Sequence, residues 1–468
     1  MRVAIRILIT SIVNAFIMVC ISIWLLNRPA VHNDEKLLIE KTASYKVRLF
    51  GESAKPAADG LLFINVSFDK EIIPIPMELE GMELTAEDLA LFDDEEGVNA
   101  LSGFSQGTQV ITDRSVLARF FAILNKNPNN HRYILCDILF ENPSDHDLLL
   151  KEQLKKLPNV LIPFWEDEND VLQYPLFDVT SGLATYTAVD NYFIKYQLMD
   201  DTLKTMPLVM YEALHQQQLR KKGNLFYQMN DRSVFNNFIL NLRVRTDDVI
   251  KEGGTYHPNY WKFFGATLDL YSDEEILELT KGKIIVIGDF EDTTNDYHQT
   301  LAGDMPGPLI LLNAYLALVA GDNIIRDGLY LILFMGFFLI SIELFHPDDL
   351  LKNGYTRLTN WLQGLLKKIK TRNVLLKSLI DAADKQLKFI DSINDTVKKL
   401  PTYMGVLSII SIAAYLLLNN HINIFYLSLY ILFVENVMKY EKKVRSFITH
   451  KKAASLTTEP ATSTKEYA

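Results

Sequence analysis

The chain has 468 residues, enough for two or three domains, and combines 49% hydrophobic residues with only 22% charged ones at a net charge of −11. Two cysteines, one of them (Cys20) inside an apolar run, exclude a disulfide framework, and nine scattered histidines offer no zinc-type spacing. The acidic balance argues against a nucleic-acid partner, because phosphate backbones are neutralised by Lys and Arg.

Residues 7–26 carry no charge and are long enough to cross a bilayer core as a helix. Arg2 and Arg6 precede them, as expected of a cytoplasmic end, and no A-x-A-like cleavage site follows. Residues 1–27 therefore read as an uncleaved anchor rather than a signal peptide.

Residues 28–326 alternate strand and helix signals, which predicts an α/β domain with a parallel or mixed sheet and flanking helices. GLLFINVSFD (60–69) is a buried strand with an acidic end. TDRSVLARFFAIL (112–124) is a helix with Thr112 or Asp113 as N-cap. RYILCDILFENPSDHD (132–147) is a strand that breaks into a loop, followed by a helix over 148–157 and the strand NVLIPF at 159–164. Farther on, 206–219 reads as helix, 237–244 as strand-like and 273–279 as a short helix feeding the strand KIIVIGDF. The stretches 78–107 and 166–190 read as looser insertions.

Three more apolar runs follow, at 328–345, 403–418 and 424–438, the last two joined by NNHIN as a helical hairpin. With the N-terminal run they predict four transmembrane helices: the anchor, a helix at 327–345 and a hairpin at 402–439. The linker 346–401 and the tail 440–468 are basic, whereas the large domain is acidic. The positive-inside rule then places linker and tail in the cytoplasm and the domain outside. The tail, Ser/Thr-rich at its end, is expected to be disordered. Within the linker, Leu376, Leu379, Ala383, Ile390, Ile393, Val397 and Leu400 keep a heptad, with Gln386 the exception. Residues 376–400 thus read equally as a homodimer seam or as an amphipathic helix on the bilayer. Trp361 to Ile369 also reads as a surface-lying helix.

Searching for chemistry gives no nucleophile elbow, metalloprotease, P-loop, kinase or cyclase signature. Ser67 to Lys70 fits S-x-x-K, but no K-T-G accompanies it. The reading is of a protein that is not an enzyme, with no catalytic residue, metal or cofactor. Its candidate ligand-binding residues are the carboxylates at two strand ends: Asp137 and Glu141, near Asp145 and Asp147, and then Asp289, Asp292 and Asp296 beside His298. Solvated acids and helix caps are the rival reading for both groups. Gly288 is taken as structural, as are Pro306 and Gly307.

Four pieces stand in order: LLFINVSFD, DRSVLARFFAIL, YILCDILFENPSDHD with LPNVLIPF, and KGKIIVIGDFEDTTNDYHQTLAGDMPG leading to Asn313 and Ala314. Together they resemble the second type of CHASE domain, an extracellular sensory module of bacteria found beside kinases and cyclases. The resemblance implies a sensory domain in the bacterial cytoplasmic membrane, one anchor before it and three helices after it. The stretch Pro308 to Leu312 is more apolar than the family's pattern, and about 30 residues follow the last apolar run. An unknown extracytoplasmic ligand and a separate output protein are therefore the expected partners, beside the bilayer itself. A cell-envelope scaffold is the alternative, with a carboxylate-based enzyme third.

Overall fold

A computed structural model describes residues 2–28, 33–76, 105–167, 169–184, 192–223, 226–251, 255–291, 296–345 and 400–456. The chain divides into two compact units. One holds 29–31 and 46–324, and the other 1–28, 32–45 and 325–468.

Among the described residues, the larger unit is built on a seven-stranded sheet. Its parallel strands are β1 (Leu61–Asn65), β2 (Tyr133–Cys136), β3 (Val160–Glu166), β4 (Ser181–Leu183), β5 (Tyr260–Trp261) and β6 (Ile284–Gly288). They lie in the order β5-β1-β6-β2-β3-β4, and Leu172–Gln173 pairs antiparallel with β3. Every residue of β1, β2 and β6 is buried, as strands covered on both faces must be. Side chains alternate between two cores. Leu62, Ile64, Ile134, Cys136, Ile285 and Ile287 pack with Leu117, Phe120, Phe121 and Leu124 of the helix Arg114–Asn125. The helices Met206–His215 and Gly307–Ala320 cover the opposite face.

Local signals account for most element ends. Asp113, not Thr112, caps the helix Arg114–Asn125, its carboxylate accepting from Ser115 N (2.9 Å) and Val116 N (3.2 Å). Asp69, the acidic end expected of the first strand, lies beyond it and caps another element. It accepts from Phe264 N (3.2 Å) and Gly265 N (2.9 Å) at the start of Phe264–Leu270. The helix expected over 206–219 stops at His215, because Gln216 turns left-handed (φ 55°) and Leu219–Lys222 enters a small antiparallel sheet. The strand expected over 237–244 is limited to Asn237–Ile239. Beyond it, the buried Asn313 captures the chain. Its Oδ1 accepts from Arg243 N (2.6 Å) and Val244 N (3.0 Å), and its Nδ2 donates to Val244 O (2.7 Å). Most of the insertion at 78–107 lies outside the described residues. That at 166–190 contributes Leu172–Gln173 and β4.

The smaller unit contains the helices Arg2–Leu26, Asp327–Phe345, Leu400–Leu418 and Ile424–Leu456. Among the described residues, three segments are long and apolar enough to cross a membrane: Ile5–Leu26, Asp327–Phe345 and Leu400–Leu418. Polar side chains bridge these helices, with Asn14 Nδ2 donating to Ser341 Oγ (2.9 Å) and Tyr430 OH donating to Asn14 Oδ1 (2.9 Å). The tail expected to be disordered from 440 is helical to Leu456. No Gly or Pro interrupts residues 424–456, so a helix once nucleated propagates through the basic stretch. The heptad at 376–400, apart from Leu400, and the segment Trp361 to Ile369 lie outside the described residues.

Replacing Asn313 by Ala strands two buried N–H groups and a carbonyl. We expect it to lower the stability of the full-length protein in detergent by about 2–4 kcal/mol, read by chemical denaturation.

Candidate functional site

From β1 the chain moves to β2, β3 and β4 on one side, returns to β5 on the other side of β1, and only then inserts β6 between β1 and β2. The connections therefore diverge around β6, which is where open parallel sheets leave a crevice at their C-terminal edge. Register places Asn65 beside Gly288 and Ile287 beside Cys136, and Asp137 N donates to Ile287 O (2.8 Å). Three strand ends thus reach one line with Asn65, Gly288 and Asp137 on it.

Asn65, which the sequence reading did not single out, holds that edge together. Fully buried, it accepts at Oδ1 from Phe290 N (3.0 Å) and Ser67 N (3.2 Å), and donates through Nδ2 to Lys262 O (3.2 Å). The ends of β1, β6 and β5 are joined through one amide. Gly288 is required because an added Cβ would strike the Pro308 ring and lie 3.5 Å from Asp137 Cβ. At Gly307 the same atom would strike the Asp296 carboxylate, and Gly307 N donates to Asp296 O (3.0 Å). Pro306 closes the strand Gly303–Pro306, which pairs with Tyr297–Thr300, and precedes the helix Gly307–Ala320.

The predicted carboxylates separate into distinct roles. Asp289 accepts from Ser67 Oγ and pairs with Lys70 Nζ (3.2 Å), so its charge is met within the edge. Glu141 takes the Trp165 indole N–H and is tied to β3 instead of to Asp137. Asp145 is exposed, and Asp147 pairs with the guanidinium of Arg114, a buried residue absent from the sequence reading. Arg114 also lies over the rings of Phe140 (5.6 Å) and Phe177 (6.0 Å). Asp145 and Asp147 thus follow the rival reading of solvated acid and helix-end partner. Asp292 lies outside the described residues.

Asp137 and Asp296 remain. Burial holds the Asp137 carboxyl well above the usual aspartate range, and the charge of Asp296 pushes it further. Burial likewise raises Asp296, against the pull of His298, whose Nε2 stands 3.7 Å from Asp296 Oδ1; Asp289 adds to the rise. The fully buried hydroxyl of Tyr196 is raised by burial, with the Thr205 side chain opposing and Asp137 adding. Tyr297, pushed up to about 12 by burial and by Glu291, donates its hydroxyl to Phe290 O (2.6 Å). Beside this group, Glu291 accepts from Tyr260 OH (2.8 Å) and pairs with Lys262 (3.0 Å). Cys136 is fully buried, and that burial pushes its thiol up, which suits a small core residue. Among the described residues no group of three His, Cys, Asp or Glu side chains is arranged to hold a metal ion.

The C-terminal edge of the covered parallel sheet thus carries two carboxyls of raised proton affinity, and helices long and apolar enough to cross a membrane precede and follow the domain in the chain. The chain belongs to the CHASE2 domain family, which matches residues 93–344. CHASE2 is an extracellular sensory domain family. No curated protein and no solved structure matches the chain. The matched span starts after β1, so Asn65, Ser67 and Lys70 complete the edge from outside it.

Two outcomes follow from this geometry. Gly288→Val should destabilise the domain by at least about 2 kcal/mol through overpacking, whereas Gly60→Ala, whose Cβ meets nothing within 4 Å, should be neutral in the same denaturation experiment. For the acids the sign is set by folded-state proton affinities raised above the ordinary 3.8. Their favourable contribution is complete below that value and is lost as pH rises towards the folded-state range. Asp137→Asn should therefore raise the thermal midpoint at pH 7, by an amount that shrinks towards pH 4.

Proposed function

We propose that the protein is a membrane-bound sensor whose extracytoplasmic domain, residues 28–326, binds its stimulus at the edge where β1, β6 and β2 end. The observation that carries this reading is the Asp137–Asp296 pair, two carboxyls held with raised proton affinity at the switch point. Ionising two neighbouring half-buried carboxyls is costly to the fold, and a cationic group arriving at this edge offsets that cost. The stimulus is accordingly a small molecule or peptide end that presents a positive charge. Asp289, positioned by Lys70 and Ser67, extends the acidic rim. The protein acts by binding, not catalysis, and passes the result to a separate partner.

Four membrane crossings in a bacterial cytoplasmic membrane fit this reading, with the N-terminus, the basic linker and the C-terminal end inside. The bond from Tyr430 to Asn14 supports counting residues 424–438 as the fourth, since it ties that helix to the middle of the first. Membership of an extracellular sensory family supports the placement of the domain outside.

The test is thermal unfolding of the full-length protein in detergent at pH 7 against calcium, ammonium, ethylenediamine, choline and a lysine-terminated peptide. A ligand at a hundredfold excess over its dissociation constant should raise the midpoint by about 5 °C, and the Asp137→Asn/Asp296→Asn double variant should lose the rise. A rise that survives in the double variant, or no rise with any probe, would count against this site.

A further inference from the structure

The turn between the helices Leu400–Leu418 and Ile424–Leu456 contains His421, which is fully buried. Its ring lies against Tyr415, with centroids 4.9 Å apart. Nδ1 is 2.5 Å from Ser411 Oγ, and Nε2 is 3.5 Å from Thr42 Oγ1. Ser411 Oγ also accepts from Ile422 N (3.1 Å) and stands 3.4 Å from Ile422 O, so it is held to the turn by both backbone groups. Thr42 Oγ1 donates within its own helix, 2.6 Å from Leu38 O and 3.3 Å from Ile39 O. The imidazole of His421 thus bridges the hydroxyls of Ser411 and Thr42, with the tautomer setting which ring nitrogen donates.

Thr42 stands on the helix Asn33–Phe50, and the division between the two compact units falls inside that helix, between Tyr45 and Lys46. Thr42 therefore lies about one turn before the residues that belong to the α/β domain. The same helix that leads into the domain is bonded, through a single imidazole, to the turn of the C-terminal hairpin.

We propose that His421 is a positioning latch that couples the stem helix Asn33–Phe50 to the hairpin turn, so that a displacement of the stem is felt at residues 419–423. The purpose of the latch rests on the sensor reading above, but the coupling it asserts is present without any ligand and is measured without one. Coupling of this kind is reciprocal, since loosening either end must loosen the other.

Hydrogen exchange on the full-length protein in lipid nanodiscs reads both directions. Thr42→Val keeps the side-chain shape but removes the hydroxyl that meets His421, and should speed exchange of the backbone amides of 419–423 about fivefold or more. Thr42→Ser restores the hydroxyl and should return them to the wild-type rate. Ser411→Ala, made at the other end, should speed exchange across 38–46 by a similar factor, and it carries the test if Thr42→Val does not fold. Exchange at 419–423 that ignores Thr42→Val, or that Thr42→Ser fails to restore, would overturn the latch, as would Ser411→Ala acting only on its own hairpin. Any of these results leaves the strand-edge site standing, since that site is tested by cation binding.

Discussion

Insertion of β6 between β1 and β2 is the constraint on which the rest of the larger unit depends. All five of its residues, Ile284 to Gly288, are buried, and both neighbours bond to it in parallel register. Burying each such aliphatic side chain contributes about 1.5–3 kcal/mol relative to exposure, so the strand cannot slide without losing several of these at once. Because β6 is the last strand in sequence to enter the sheet, its position fixes where residues distant in the chain must meet. Asn65 from the first strand and Asp137 from the second are brought to Gly288, and Pro308 fills the space a side chain would have taken.

That geometry makes an acidic edge with an uneven supply of counter-charge. Lys70 answers Asp289, Lys262 answers Glu291, and Arg114 answers Asp147. Among the described residues no cation pairs with Asp137, and His298 stands 3.7 Å from Asp296. The buried amides of Asn65 and Asn313, by contrast, each bond several backbone groups. Asp137 and Asp296, whose proton affinities burial raises, stand instead at the switch point of the sheet. In the smaller unit the bonding of Asn14 to Ser341 and Tyr430 joins the helix before the domain to helices after it.

Much of this was legible in the sequence because the signals were local. Unbroken aliphatic runs marked β1, β2, β3 and β6, Thr112 or Asp113 marked a helix start, and Gly288 followed by acids marked the edge. The matched family was readable from the same pieces. What was not legible was pairwise. Nothing in the neighbourhood of Asn65 says that its amide will meet Phe290 and Lys262, although a polar residue ending an apolar strand was a usable hint. Glu141 sits near Asp137 in sequence, yet Trp165 draws it to β3, a partner set by sheet order. Arg114 was hidden because a helix's first residue is usually solvated, and its burial depends on Asp147, Phe140 and Phe177 converging from other segments. The helix over 206–215 ended early for want of any Gly or Pro signal; Gln216 takes the left-handed turn itself.

The Asp137–Asp296 pair is tested most directly by a carbon-13 NMR titration of the aspartate carboxyls in the full-length protein, assigned with Asp137→Asn and Asp296→Asn. We predict that both carboxyls titrate above the ordinary aspartate range and that removing Asp296 lowers the value at Asp137, since the charge of one holds up the other. Ordinary, independent titration of both near 3.8 would contradict it. The strand edge would then be an acidic rim in open water, not a binding site.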